Sequence, residues 1–279
     1  PQGADVTNAT PGLVGVSFLL AITLIAYGIR MFTRIRPIFK LSAPDYIVSA
    51  ALVGLCELIA FTCFLASIAF GFGRYESYLS ADIMVKILKC FYVLGLMGFW
   101  ASSLARVSIG TMLLRFEISR LSRVAVWILI SLQFIMATGA TIFALVQCRP
   151  IRATWEQVPG SVCWSIRVPQ IYGYIFSGQF SQINFLALGV SSDIAFAALP
   201  LFFIWPLNRP VMERILLSVL MALGTIAAVA GAVKAFYIHT WDPRKNSFHD
   251  LMPLFWWYRV EELGLIAAAN APFLKPTIE

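Results

Sequence analysis

Phe255-Trp-Trp-Tyr-Arg-Val-Glu-Glu-Leu-Gly264, continuing through Ile266-Ala-Ala-Ala269 to Pro272, has the length and apolarity of a membrane span, yet it carries an arginine and two adjacent glutamates. A charge in the bilayer core costs a few kcal/mol even on lenient insertion scales, so it normally faces a bundle interior or a wet cavity. On a helix, Arg259 and Glu262 stand three residues apart and can pair on one face. Glu261 points elsewhere and must find a partner on another helix or hold a proton. The stretch therefore asks for further membrane helices around it.

The rest of the chain supplies them. Of its 279 residues, 59% are hydrophobic and only 13% charged, with a mean hydropathy of +0.81. That balance excludes an ordinary soluble domain and fits a polytopic membrane protein. The net charge of +7 sits in short basic clusters between apolar runs, where the positive-inside rule places them. With no phosphate-binding glycine loop, zinc-spaced Cys/His set or long basic arm, the pattern argues against a nucleic-acid partner. No basic n-region precedes the first apolar run, so a cleavable leader of the usual form is not expected. The polar opening, Pro1 to Thr10, contains the sequon Asn8-Ala9-Thr10, which suggests an external N-terminus.

Hydropathy predicts an all-α membrane protein, a single domain over residues 1–279 made of a seven-transmembrane-helix bundle. The spans run about Pro11–Arg30, Asp45–Phe70, Asp82–Leu114, Val124–Gln147, Ser177–Trp205, Arg214–Ile238 and Leu251–Pro272. Each can cross a ~30 Å hydrocarbon layer at about 1.5 Å per residue. Arg30, Arg34, Arg36, Lys40, Arg115, Arg120, Arg123, Arg209, Arg214 and Lys275 fall in loops on one side; Arg74, Arg149, Arg152, Arg167, Arg244 and Lys245 fall on the other. Ten against six makes the first side cytoplasmic, with the N-terminus outside and the C-terminus in the cytoplasm. The expected location is multi-pass, in the endoplasmic reticulum or the plasma membrane. The longest external loop carries Cys148 and Cys163. A disulfide between them would close a small lid in an oxidising compartment; the alternative pairs one of them with Cys90. Cys56 and Cys63 read as packed thiols in span two.

An ordered set of short motifs carries a resemblance. Gly71-Phe-Gly73-Arg74 closes span two and Arg106-Val-Ser108-Ile109 lies late in span three. Gln147-Cys148-Arg149-Pro150 leads to Trp155 and Cys163, and Asn184 precedes Asp193, Pro200 and Trp205-Pro-Leu207. Val260-Glu261, Gly264 and Pro272 mark span seven. Together these resemble the fungal rhodopsin-domain family of seven-helix integral membrane proteins over nearly the whole chain. Arg106 stands where the family pattern has lysine, and Lys234 where it has arginine. Both swaps keep charge and change geometry. The resemblance implies the fold first. Some family members are receptor-like and linked to surface sensing and pathogenicity; others look like products of secondary-metabolite clusters, where an enzymatic role is more natural. Retinal is not implied, because span seven has no lysine before Lys275.

The candidate site follows from depth. Glu57 and Asp193 fall near the midplane, Glu261 and Glu262 in the outer half of span seven, and Arg106 in the inner part of span three. Lys86 and Lys89 share a face near the outer end of span three, and Lys234 is near the outer end of span six. A structural reading has Asp193 pairing with Arg106 to lock helices together, and the lysines snorkelling to headgroups. The set as a whole favours a functional cluster, because carboxyls and amines converge on one zone. Trp100, Trp256, Trp257 and Tyr258 belong to that zone and would wall a pocket for a lipophilic guest, or form an interfacial belt. Of the adjacent pair Trp256 and Trp257, one is expected to face inward and the other to sit in the belt.

Two functions of different class fit. In the first, the chain is an intramembrane cyclase, isomerase or epoxide-opening enzyme acting on a terpenoid or polyketide. A carboxyl in a low-dielectric pocket can keep its proton at neutral pH and give it to an epoxide, alkene or carbonyl. Glu261 is the expected acid, with Glu57 and Asp193 as the other candidates. Lys86, Lys89, Lys234 and Arg106 would bind and orient substrate beside Trp100, Trp257 and Tyr258. No metal or nucleotide cofactor is called for. In the second, the same pocket serves a G-protein-coupled-type receptor, with a G protein as partner. Span three ends Leu113-Leu-Arg115-Phe rather than in an acidic-Arg-aromatic triplet, and the loop from Trp205 to Arg214 is short. Both features favour the enzyme.

Overall fold

The computed structural model describes residues 7–35, 43–52, 56–75, 78–114, 120–164, 194–196, 211–240 and 247–270. Its helices are α1 (Ala9–Ile35), α2 (Ala43–Leu52), α3 (Cys56–Ala69), α4 (Ala81–Leu113), α5 (Arg120–Val146), α6 (Val211–Thr240), the short α7 (Ser247–Asp250) and α8 (Met252–Asn270). Prolines open three of them. Pro11, Pro44 and Pro253 sit in the first turns of α1, α2 and α8, where the missing N–H has no intrahelical partner to lose. Within hydrocarbon a helix is one of the two backbone forms that satisfy every polar group internally.

Among the described residues four segments are long and apolar enough to cross a membrane: Ala9–Ile35, Ala43–Ala69, Ala81–Leu113 and Arg120–Val146. These match the first four predicted spans within a few residues at each end. Helices α6 and α8 overlie the sixth and seventh. The fifth, Ser177–Trp205, lies outside the described residues except for 194–196. One assignment is corrected. Hydropathy puts Arg30 and Arg34 in a loop, but α1 runs on to Ile35 and Arg30 is fully buried. A helix of 27 residues is about 40 Å long, so its basic end projects past the hydrocarbon and remains helical.

Exposed apolar residues mark the outer faces. On α1 they are Val14, Phe18, Ile22, Ile25 and Phe32; on α5 they are Leu121, Ile128, Ile135 and Ile142. Their three-, four- and seven-residue spacing keeps each set on one helical stripe, which faces lipid. The opposite face of α1 packs on α8, which also touches α6, α4 and α2, while α5 packs on α4.

The end of the bundle where α3 leads into α4 is closed by an aromatic layer. Gly71 and Gly73 have positive φ values of 108° and 94°, which an L side chain rarely adopts. They turn the chain out of α3 so that Phe72 plugs the bundle fully buried. Its ring lies 4.6 Å from that of Phe91 and 5.2 Å from that of Phe255, edge-on in both cases. Phe248 of α7 completes the layer, and the adjacent His249 accepts a hydrogen bond from Asn8 Nδ2 at 2.7 Å. The sequon side chain is thus tied down at the mouth of the bundle.

The lid after α5 is a two-stranded ladder, β1 (Cys148–Arg149) against β2 (Val162–Cys163), with Cys148 opposite Cys163. These cysteines form the disulfide, and Cys90 is a free thiol. Trp155 packs edge-on against Tyr92 of α4 at 5.2 Å. Trp164 meets Phe143 of α5 at 5.4 Å, so the lid is anchored on both helices.

Candidate functional site

Helix α8 takes part in three buried polar groups, each directed at different neighbours because successive residues turn by about 100°. The first centres on Arg259. Its Nη1 donates to Glu57 Oε1 of α3 at 3.2 Å, and its Nη2 is ion-paired with Glu262 Oε2, one turn on. Glu57 and Arg259 are completely buried, and Glu262 is 4% exposed. Two carboxyls therefore share one guanidinium. Glu57 Oε2 and Arg259 Nε are buried without a hydrogen-bond partner. Space for this group comes from Gly98 of α4: a β-carbon there would collide with the Glu262 carboxyl and lie 2.9 Å from Arg259 Nη2.

The second group centres on Glu261 and has the opposite balance. Arg106 Nη2 of α4 donates to Oε1 at 3.1 Å, and Lys234 Nζ of α6 to Oε2 at 2.5 Å. Lys234 Nζ also lies 4.2 Å from the centroid of the Tyr258 ring, a cation–π contact one turn before Glu261 on α8. All three charged residues are buried. One carboxylate thus ties three helices together.

The third group lies where α1 leads into α2. Arg30 Nε and Nη2 donate to Asp45 Oδ1 of α2 at 2.9 and 2.8 Å, while Nη1 reaches the Ala269 carbonyl at 2.8 Å and Asn270 Oδ1 at 3.2 Å. A cation bonding the last carbonyls of a helix also complements its dipole. From Glu262 to Asn270 along α8 is about 12 Å, so this group pins the C-terminal end of α8 at a distance from the other two.

The expected residues divide accordingly. The structure brings together Glu261, Arg106, Lys234 and Tyr258, and separately Glu57 with Arg259 and Glu262. Lys86 and Lys89 are corrected: both are exposed on the outside of α4, Lys86 with its Nζ 5.8 Å from the Phe70 ring. They share a face as expected, but it is the outward one. Trp100 donates to Thr141 Oγ1 at 3.0 Å and so ties α4 to α5. Trp256 turns toward α1, where a β-carbon on Gly12 would run into its indole; its Nε1 is buried. Trp257 is partly buried on another face. Asp193 lies outside the described residues, and Arg106 meets Glu261.

Sequence reasoning missed the Glu57–Arg259–Glu262 group because the i, i+3 spacing explained Arg259 and Glu262 as mutual neutralisation. The usable signal was Glu57, a midplane acid with no basic residue on its own span. The third group was missed because Arg30 sat in a basic run that resembled a loop.

Comparison with known proteins decides the family. The description "Fungal rhodopsin domain" matches residues 29–279. The chain belongs to the fungal rhodopsin domain family. This fungal rhodopsin domain is thus an all-helical, multi-pass integral membrane protein. It is similar to "Fugralins biosynthesis cluster protein 2" of Gibberella zeae, 27% identical over 139 residues, or 48% of this chain and 32% of that protein. It is also similar to "Polyenoic acids biosynthesis gene cluster protein Ba17b" of Metarhizium anisopliae, 22% identical over 237 residues, or 80% of this chain and 60% of that protein. In both cases the match covers less than two-thirds of the relative's length. No solved structure matches the fungal rhodopsin domain.

Proposed function

We propose that this fungal rhodopsin domain is a membrane-embedded enzyme working on a lipophilic small molecule of terpenoid or polyketide kind. Its chemistry is proton transfer by side chains: cyclisation, isomerisation or epoxide opening without a cofactor. The observation that carries the reading is the load of buried ionisable groups along α8, facing charged residues of α3, α4 and α6. Ionisable side chains within a membrane are costly and mark functional sites by default. Two relatives named for biosynthesis clusters support the substrate class.

The roles shift with the geometry. Glu261 is held by two cations, which suits it to positioning Lys234 and Arg106 rather than to donating a proton. Those cations then stabilise negative charge developing on the substrate. The chain takes a seven-span topology with the N-terminus outside and the C-terminus inside. The helix order in the bundle supports it: four crossings separate Asn8 from Cys148, so sequon and disulfide share a side, and a disulfide belongs to an oxidising compartment.

The test uses microsomes carrying the protein and a panel of lipophilic precursors. Glu261→Gln is expected to keep the protein folded, by its gel-filtration profile in detergent, and to abolish most turnover. Full activity in that variant would remove the site from consideration. Ligand-dependent binding of a G-protein α subunit, with no precursor consumed, would instead establish the receptor.

A further inference from the structure

We propose that Glu57, Arg259 and Glu262 form a one-proton acid site, which delivers that proton to a neutral oxygen of the substrate. The proposal rests on the enzymatic reading above and assigns the donor and the substrate's functional group.

Charge and contact argue for the proton. Two carboxyls face one guanidinium, and all three side chains are at least nine-tenths buried. With both carboxyls ionised the three side chains would themselves carry a net negative charge in the bilayer core, at a cost of a few kcal/mol. The Glu57 and Glu262 carboxyls meet the two terminal nitrogens of that one guanidinium, which sets them side by side. Two carboxylates so placed repel, whereas a carboxyl beside a carboxylate can form a strong charge-assisted hydrogen bond. One proton answers both problems and offers a donor to the buried Glu57 Oε2. Of the charged groups around the site, Arg106 and Lys234 carry one positive charge in excess of Glu261, and both direct their ion pairs to that carboxylate.

The same groups choose the substrate. A carboxylate or phosphate would bring an unbalanced negative charge to a group that one proton has made neutral. An epoxide, carbonyl or hydroxyl oxygen presents lone pairs to the proton, and the unpartnered Arg259 Nε is a second donor for it. Phe72, Phe91 and Phe255 cover one side of this zone, which suits an apolar chain. The carboxyl O–H breaks as the substrate O–H forms, and the epoxide C–O bond breaks with its electron pair remaining on oxygen. An alkene of the same molecule closes on the freed carbon, and the resulting cation loses a proton back to the carboxyl pair. Substrate and product are isomers, and the site is reset.

The test is infrared spectroscopy at pH 7 on protein labelled with ¹³C-glutamate. The expected result is a protonated-carboxyl C=O band in the unmodified protein, retained in Glu261→Gln and lost in both Glu57→Gln and Glu262→Gln. In the latter two, one carboxylate remains opposite one guanidinium. Absence of the band in the unmodified protein, which needs no variant to fold, overturns the proposal. So does its persistence in both Gln variants. A neutral farnesyl epoxide is expected to shift the band and farnesoic acid to leave it unmoved; the reverse overturns the substrate class. Turnover in Glu262→Gln should fall by about 10²–10⁴-fold. If no precursor is converted by the unmodified protein, the enzymatic reading fails, while the band still judges the carboxyl pair.

Discussion

Replacing Glu261 by Gln leaves the shape of α8 unchanged and removes the one carboxylate that Arg106 and Lys234 share. Lys234 then keeps only the Tyr258 ring, 4.2 Å away, of the two contacts described for it above, and a desolvated cation–π contact is worth about 2 kcal/mol. Breaking a buried pair by deleting one partner costs about 3–5 kcal/mol, because the other charge stays buried. Lys234→Met is milder: Glu261 retains Arg106 at 3.1 Å, and the loss is closer to one charged hydrogen bond, about 1.5–3 kcal/mol. The double variant removes both charges and should cost less than the sum, with a coupling of about 0.5–3 kcal/mol. Unfolding in detergent, followed by tryptophan fluorescence, gives all three values. Additivity within about 0.5 kcal/mol, or a larger loss for Lys234→Met than for Glu261→Gln, would refute the reasoning.

Other outcomes test other parts of the structure. Gly98→Ala should destabilise the protein by roughly 1–3 kcal/mol through overpacking against Glu262, and adding Glu262→Ala in the same melting assay should relieve it. Asp45→Asn leaves Arg30 without its carboxylate and should cost about 3–5 kcal/mol, with increased proteolysis at the C-terminal end of α1. Peptide mapping without reduction should recover Cys148 linked to Cys163 and Cys90 alkylated; a link to Cys90 would contradict the lid. Paired Lys86→Gln and Lys89→Gln substitutions should leave turnover unchanged, since both side chains face outward.

Much of the fold was legible because a span announces itself by length and apolarity, and α1, α4, α5, α6 and α8 begin and end near where hydropathy placed them. The facing of each helix was harder to read. In a soluble helix the polar stripe shows which side is out, but the lipid-facing Ile128 and Ile135 of α5 are as apolar as any core residue. Lys86 and Lys89 were therefore put on the correct common face and turned the wrong way. Glu261 was legible as needing partners on other helices, because its neighbour Glu262 already had Arg259 within reach. The identity of those partners was only partly legible, since Arg106 and Lys234 are 128 residues apart and only the packing of α4 and α6 on α8 brings them together. The shared guanidinium escaped notice for the same reason: Glu57 and Arg259 are separated by 202 positions.

The most direct measurement of the central claim is the mass of the product formed by the purified protein from its lipophilic precursor, with no cofactor added. Cyclisation, isomerisation and internal epoxide opening all conserve composition, so the account predicts a product of unchanged mass and altered retention time that is missing with Glu262→Gln. A product differing by an oxygen atom or a pair of hydrogens, or no conversion alongside ligand-dependent G-protein binding, would contradict it.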